Sequence, residues 1–250
     1  GKAYGIDLLS VNEWISYAYP ATQGTTLCEK MRNNPAYHDI KSPSTIFTRQ
    51  LTEDIPTRGA LCAIKKAYQL TDVTFLPLDS IRANPYKKYT AGKIYKGMIY
   101  SSVKEMDKFV GTDISLHTFM TAIHNDRSVL YTENVSKHPY HGVNCGSYYG
   151  VVCNTFVSYA LGLKVSKSTT DFPSADNMML VEDQTSKGVR LADVVLQKGH
   201  VMLVTRIGRD TENGKAVELE ISEAKRTGCR RFFLSGEDLD KNISAGKWSL

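Results

Sequence analysis

The sequence predicts an α+β fold in which helices from the first two thirds of the chain pack on an antiparallel β-sheet made by the last third. Two observations carry this expectation. Amphipathic helical periodicity recurs up to about residue 163, and three strand-like runs then follow one another between His200 and Leu234. A third observation concerns bulk composition: the 250 residues are 42% hydrophobic and 23% charged, inside the globular range and far from the low-hydrophobicity, high-charge corner of disordered chains. That length holds one large domain, or an ordinary domain with an extension, and enough apolar surface for a real core.

Residues 1–53 are rich in Tyr, Asn, Thr and Pro, with one amphipathic turn from Val11 to Tyr19 ended by Pro20, and read as an N-terminal extension. The domain proper is expected over 54–235. Its first helix follows Asp54, because Pro56 suits a first helical turn and Leu61, Ile64, Ala67 and Tyr68 recur at helical spacing; it should end near Leu70 or Thr71. Val73–Leu76 is a β-branched and aromatic run closed by Pro77, hence a strand. Asn84–Lys96 alternates basic and aromatic residues between turn signals and reads as a loop and an edge strand. Asp113–Asn125 places Ile114, Leu116, Phe119, Met120 and Ile123 on one helical face. A shorter helix begins at Cys153, carries Phe156, Val157, Ala160 and Leu161, and stops at Gly162, a residue type that tolerates the left-handed position after a helix. After a loop from Ser166 to Gly188 come the strands His200–Ile207, Ala216–Ser222 and Arg230–Leu234. Residues 236–250 are expected as a C-terminal tail.

Several classes are set aside by charge and cysteine usage. A net charge of +5, dispersed along the chain, is too mild to indicate a nucleic-acid binder. The uncharged run from His138 to Leu163 is long enough to cross a bilayer, yet Gly142, Asn144, Gly146, Gly150 and Asn154 would break its helix and strand polar groups in lipid, so no transmembrane segment is expected. Such a run more often lines a closely packed site. No basic and then apolar leader opens the chain, and Gly1 reads as a start left after a leader was removed. The five cysteines, Cys28, Cys62, Cys145, Cys153 and Cys229, show no Cys-x-x-Cys spacing, which argues against a zinc ribbon or a thioredoxin-like site. His138, His141, Cys145 and Cys153 can be drawn as a zinc set, but their spacing fits no structural-zinc pattern. No metal or organic cofactor is expected.

The residues that suggest chemistry are a cysteine, a histidine and a glutamate. At the start of a helix the Cys153 sulfur meets the positive end of the macrodipole and free backbone donors, an environment that favours a nucleophilic thiolate. The plain alternative is a small core residue on the Phe156/Val157/Ala160/Leu161 stripe. Among six histidines, His200 is the best-placed base, since it opens a strand directly after the turn Gln197-Lys198-Gly199. Glu223, at the end of the next strand, would orient the imidazole, although Glu218, Glu220 and Glu223 also read as solvated strand positions. The basic cluster Lys225, Arg226, Arg230 and Arg231 suits either an acidic substrate or a solvated face, and Tyr86, Lys87, Lys88 and Tyr89 suit either stacking on rings or an ordinary exposed loop.

Cys153-Asn154-Thr155-Phe156-Val157-Ser158-Tyr159, with Ala192-Asp193-Val194-Val195 ahead of Gly199-His200-Val201, resembles the nucleophile helix and histidine strand of the NlpC-type cell-wall cysteine peptidases and, more distantly, the CHAP amidases. Gly97-Met98-Ile99-Tyr100 is similar to an element whose tyrosine lies near the oxyanion site. The resemblance implies a compact papain-like fold, with catalytic Cys153, His200 and Glu223 and an oxyanion contact from Tyr100. It implies a cysteine-dependent amide hydrolase: the thiolate attacks an amide carbonyl, His200 protonates the leaving amine, and the Cys153 N–H with Tyr100 stabilises the oxyanion. The implied partner is a peptidoglycan stem peptide or another small peptide. An extracytoplasmic location goes with this, and with an odd cysteine count that permits two disulfides and one free thiol. The alternatives are a non-catalytic binding module for wall fragments or proteins on the same fold, or a papain-like amidase or acyltransferase with a non-wall substrate.

Overall fold

In the computed structural model the described residues are 51–81, 87–100, 116–132, 150–163, 168–175 and 178–250. The amphipathic turn expected at Val11–Tyr19 lies outside them. Strand β1 (Leu51–Glu53) precedes helix α1 (Arg58–Asp72), and Thr57 caps that helix by accepting a hydrogen bond from the Ala60 N–H. A small hairpin, β2 (Thr74–Phe75) with β3 (Tyr95–Lys96), follows. Then come α2 (Leu116–Ile123), α3 (Val129–Thr132) and α4 (Cys153–Leu161), the last ended by Gly162 in the left-handed conformation, φ 72°. The main sheet is antiparallel and runs β7-β6-β5-β4-β8, with β1 also paired to β5. Its strands are β4 (Val194–Gln197), β5 (His200–Asp210), β6 (Ala216–Lys225), β7 (Gly228–Ser235) and β8 (Trp248–Ser249).

The architecture is thus α+β with an antiparallel sheet, as the order of periodic segments suggests. The strands overrun their expected ends: β5 continues through Gly208, Arg209 and Asp210, and β6 through Glu223, Ala224 and Lys225. Polar composition hid these extensions, because cross-strand pairing satisfies their backbone whatever the side chains are. Both faces of this sheet are covered. One core holds Ala67, Phe119, Phe156, Val194 and Leu203 with α1 and α4; a second holds Val195, Met202, Val204, Leu219 and Ile221 with Leu239 and Leu250. Residues 236–250, read from sequence as a tail, supply that second cover. They form α5 (Gly236–Ser244), capped by Ser235, and then β8 on the edge of β4. A run such as Val201-Met202-Leu203-Val204, apolar at every position, is what a strand buried on both faces requires.

Two close approaches fix the hairpin to the sheet. Gly97, at φ 81°, has no room for a side chain, since a Cβ there would stand 1.9 Å from the Cys229 carbonyl oxygen. From the next residue, the Met98 carbonyl accepts the Cys229 N–H at 2.8 Å. Tyr89, buried among Phe75 and Tyr95, completes an aromatic cluster there, which corrects the reading of its loop as a stacking platform for ligand rings. Among the described residues no helix is long and apolar enough to cross a membrane.

Candidate functional site

Cys153 is the first residue of α4. The local sequence starts the helix there through Thr155, whose hydroxyl accepts the Val152 N–H at 2.9 Å and donates to the Val152 carbonyl at 3.1 Å. Val151 forms an isolated parallel bridge with Tyr100, so the backbone of the expected oxyanion residue runs beside the segment that leads into the helix. His200 opens β5 after the two-residue turn Lys198-Gly199, with Gly199 at φ 73° and His200 paired to Gln197. Glu223 lies on β6, one position past Ser222, which faces Leu203. The sheet register therefore brings the glutamate to the histidine from the neighbouring strand.

The three expected residues meet. His200 Nε2 stands 2.6 Å from Glu223 Oε2, and Cys153, from α4, lies near enough to the same ring to favour its charged form. With Nε2 taken by the carboxylate, Nδ1 is the nitrogen left for the sulfur. Burial draws the His200 pKa down, but Cys153 and Glu223, which accept from the charged ring and attract it, outweigh burial and raise the ring from 6.5 to about 9. For Glu223 burial pushes upward, while hydrogen bonds from His200 and Arg230, with the attraction of His200 and Lys225, hold the carboxyl below its ordinary range. Only 1% of the Glu223 side chain is exposed and 16% of His200, so the reading of Glu223 as a solvated strand position is corrected.

A fourth member was not separated from its cluster in the sequence. Arg230 stands directly across from Glu223 in the β6–β7 register and donates to Glu223 Oε1 from Nε at 2.7 Å, with Nη2 in an ion pair with the same oxygen at 2.7 Å. The signal was present, since a tight hairpin between residues 225 and 228 pairs 223 with 230, but it becomes visible only once the turn is known. Arg231 points elsewhere: it pairs with Asp72 at 2.6 Å and Glu220 at 3.3 Å, over the Tyr68 ring. Three of the four expected basic residues, Lys225, Arg230 and Arg231, thus meet carboxylates of the protein itself. A cavity of about 610 Å³ opens beside β4, lined by Phe172, Met178, Val181, Asp193 and Leu196 among others; Cys153 and His200 do not line it.

Of the zinc set, His138, His141 and Cys145 lie outside the described residues, and among the described residues no group of three or more His, Cys, Asp or Glu is arranged to hold a metal. Cys62, Cys153 and Cys229 are free thiols. Burial pushes the Cys229 thiol up, out of the reactive range.

Comparison with known proteins finds a partial likeness that the motifs do not suggest. Residues 1–83, about a third of the chain, match the alpha-helical domain of the NAD/NADP octopine/nopaline dehydrogenases. No curated protein and no solved structure matches the chain. The match overturns the resemblance to NlpC-type peptidases and CHAP amidases. The cysteine-hydrolase activity, the peptidoglycan or peptide substrate and the cell-wall role fall with it, because each rested on that resemblance. No support reaches the alternatives of a wall-binding module or acyltransferase. The matched segment takes in β1, α1 and β2, elements that belong to the compact unit Gln50–Leu250.

Proposed function

We propose that Cys153, His200 and Glu223 form a reactive-thiol centre in which the Cys153 sulfur bonds to an electrophilic carbon. His200 takes the thiol proton at Nδ1, the sulfur lone pair forms the S–C bond as the carbon's bond to its leaving group breaks and that group departs with the bonding pair, and Glu223 holds the imidazolium that results. The observation that carries this reading is one ring held between a helix-start cysteine and a buried carboxylate. The finer description of the fold as papain-like belongs to the same proposal, and its support is that placement of nucleophile and base. The test is alkylation by iodoacetamide, in which the S–C bond replaces C–I and iodide leaves. Cys153 should react at neutral pH at least tenfold faster than Cys62, and His200→Ala should remove that advantage. Equal rates for the two thiols, or a rate indifferent to His200, would overturn the proposal.

The family match favours a second reading, an oxidoreductase that uses NAD or NADP. The described residues do not fit a dinucleotide: the main sheet is antiparallel, and no two glycines in the chain stand two apart, as the phosphate-cradling Gly-x-Gly turn requires. Titration with NADH distinguishes the readings, since saturable quenching of its fluorescence supports the oxidoreductase and leaves the thiol test independent.

A further inference from the structure

An ionised carboxylate buried to the extent of Glu223 is tolerated only when its oxygens are partnered by charge or hydrogen bonds. His200 satisfies Oε2. Oε1 is held by two nitrogens of one guanidinium, and that guanidinium is itself braced over the Phe232 ring, 5.4 Å from its centroid. The Arg230 side chain is 48% exposed, so its charge keeps part of its hydration while the fork reaches inward. Lys225 is a weaker second cation, 3.9 Å from the same oxygen.

We propose that Arg230 is a positioning residue of the thiol centre, fixing the Glu223 carboxylate in the orientation and charge that His200 meets. The inference rests on the reactive-thiol reading and adds a member that acts through Glu223 without touching the sulfur. Its consequence has a definite sign. When His200 is neutral, Glu223 is a buried negative charge that Arg230 balances. Without Arg230 the His200–Glu223 pair gains more from keeping its proton, and the ring must titrate higher. The charged and titratable groups acting on this pair, among the described residues, are Cys153 from α4, Lys225 from β6, and Arg230 and Cys229 from β7. The buried Cys229 thiol stays neutral over the range concerned.

The experiment follows the His200 ring by NMR through a pH titration of the whole chain, alongside the pH profile of Cys153 alkylation. In Arg230→Met the ring midpoint should rise by about one pH unit, and in Arg230→Lys, which restores charge without the fork, it should fall between that value and wild type. If Arg230→Met does not fold, Arg230→Gln carries the same expectation. An unmoved midpoint in whichever neutral variant folds, or failure of both to fold, makes Arg230 a structural residue and overturns the inference. A wild-type alkylation rate indifferent to His200 would instead sink the thiol centre itself, so the two failures are distinguishable.

Discussion

Glu223 carries the physics of the site at the scale of single residues. Its carboxylate, 1% exposed, is held charged there by His200 and Arg230, while Cys153 and Glu223, against the cost of burial, lift the His200 ring to about 9. A histidine whose folded pKa exceeds its ordinary 6.5 binds its proton more tightly in the folded chain. The stability it contributes is therefore complete below pH 6.5 and is lost as pH rises toward 9. The Cys153→Ala protein isolates this effect from thiol ionisation, since Glu223 is then the partner that remains to favour the charged ring. Denaturant unfolding over that pH window should show a decline on the order of 1–3 kcal/mol. Adding Glu223→Gln should flatten it; an equal decline in both proteins would separate the ring from the carboxylate. At this scale Cys153, His200 and Glu223 were legible from position, as a helix start and two strand ends. Arg230 was not, because its role depends on which residue lies opposite.

On the scale of elements, the start of α4 decides where the sulfur sits. Val152 cannot cap a helix with its own side chain, and Thr155 takes over by accepting the Val152 N–H from inside the first turn. Thr155→Val keeps the shape and buries that N–H without a partner, which should cost about 1 kcal/mol in denaturant unfolding. Because the same turn places Cys153, its alkylation should slow as well. A stability loss with unchanged alkylation would show that the cap holds the helix but not the thiol. The hairpin β6–β7 has the complementary task. Its register, continuous from Glu218 opposite Ser235 to Lys225 opposite Gly228, sets Arg230 across from Glu223 and Arg231 across from Ser222.

Across the whole molecule, the sheet is covered on both faces, and the last fifteen residues supply part of the second cover. Leu239 and Leu250 are 0% and 5% exposed, and Trp248 pairs with Gln197 on β4, next to the turn that leads into His200. Each buried leucine is worth about 1.5–3 kcal/mol, so their loss together removes much of an ordinary domain's margin of about 5–15 kcal/mol. Removal of residues 236–250 should abolish or sharply lower the cooperative thermal transition, followed by circular dichroism. A truncated chain with an unchanged melting temperature would show that this cover is dispensable.

The sequence by itself determined the α+β class, the antiparallel sheet, the helix that starts at Cys153 and the candidate residues on it and on β5 and β6. These follow from local periodicity and turn chemistry, which act over a few residues. Tertiary structure decided the rest. The strand extensions through Arg209 and Lys225, the helix and strand of residues 236–250, and the burial of Tyr89 all arise where long-range packing overrides a polar or turn-like local signal. Motif likeness misled on activity for a related reason. Short runs around Cys153 and His200 report a local arrangement that unrelated chemistries can share, whereas the match over residues 1–83 points to a different family. Only the folded sheet, by fixing which side chain stands opposite which, separates Arg230 on Glu223 from Arg231 on Asp72 and Glu220.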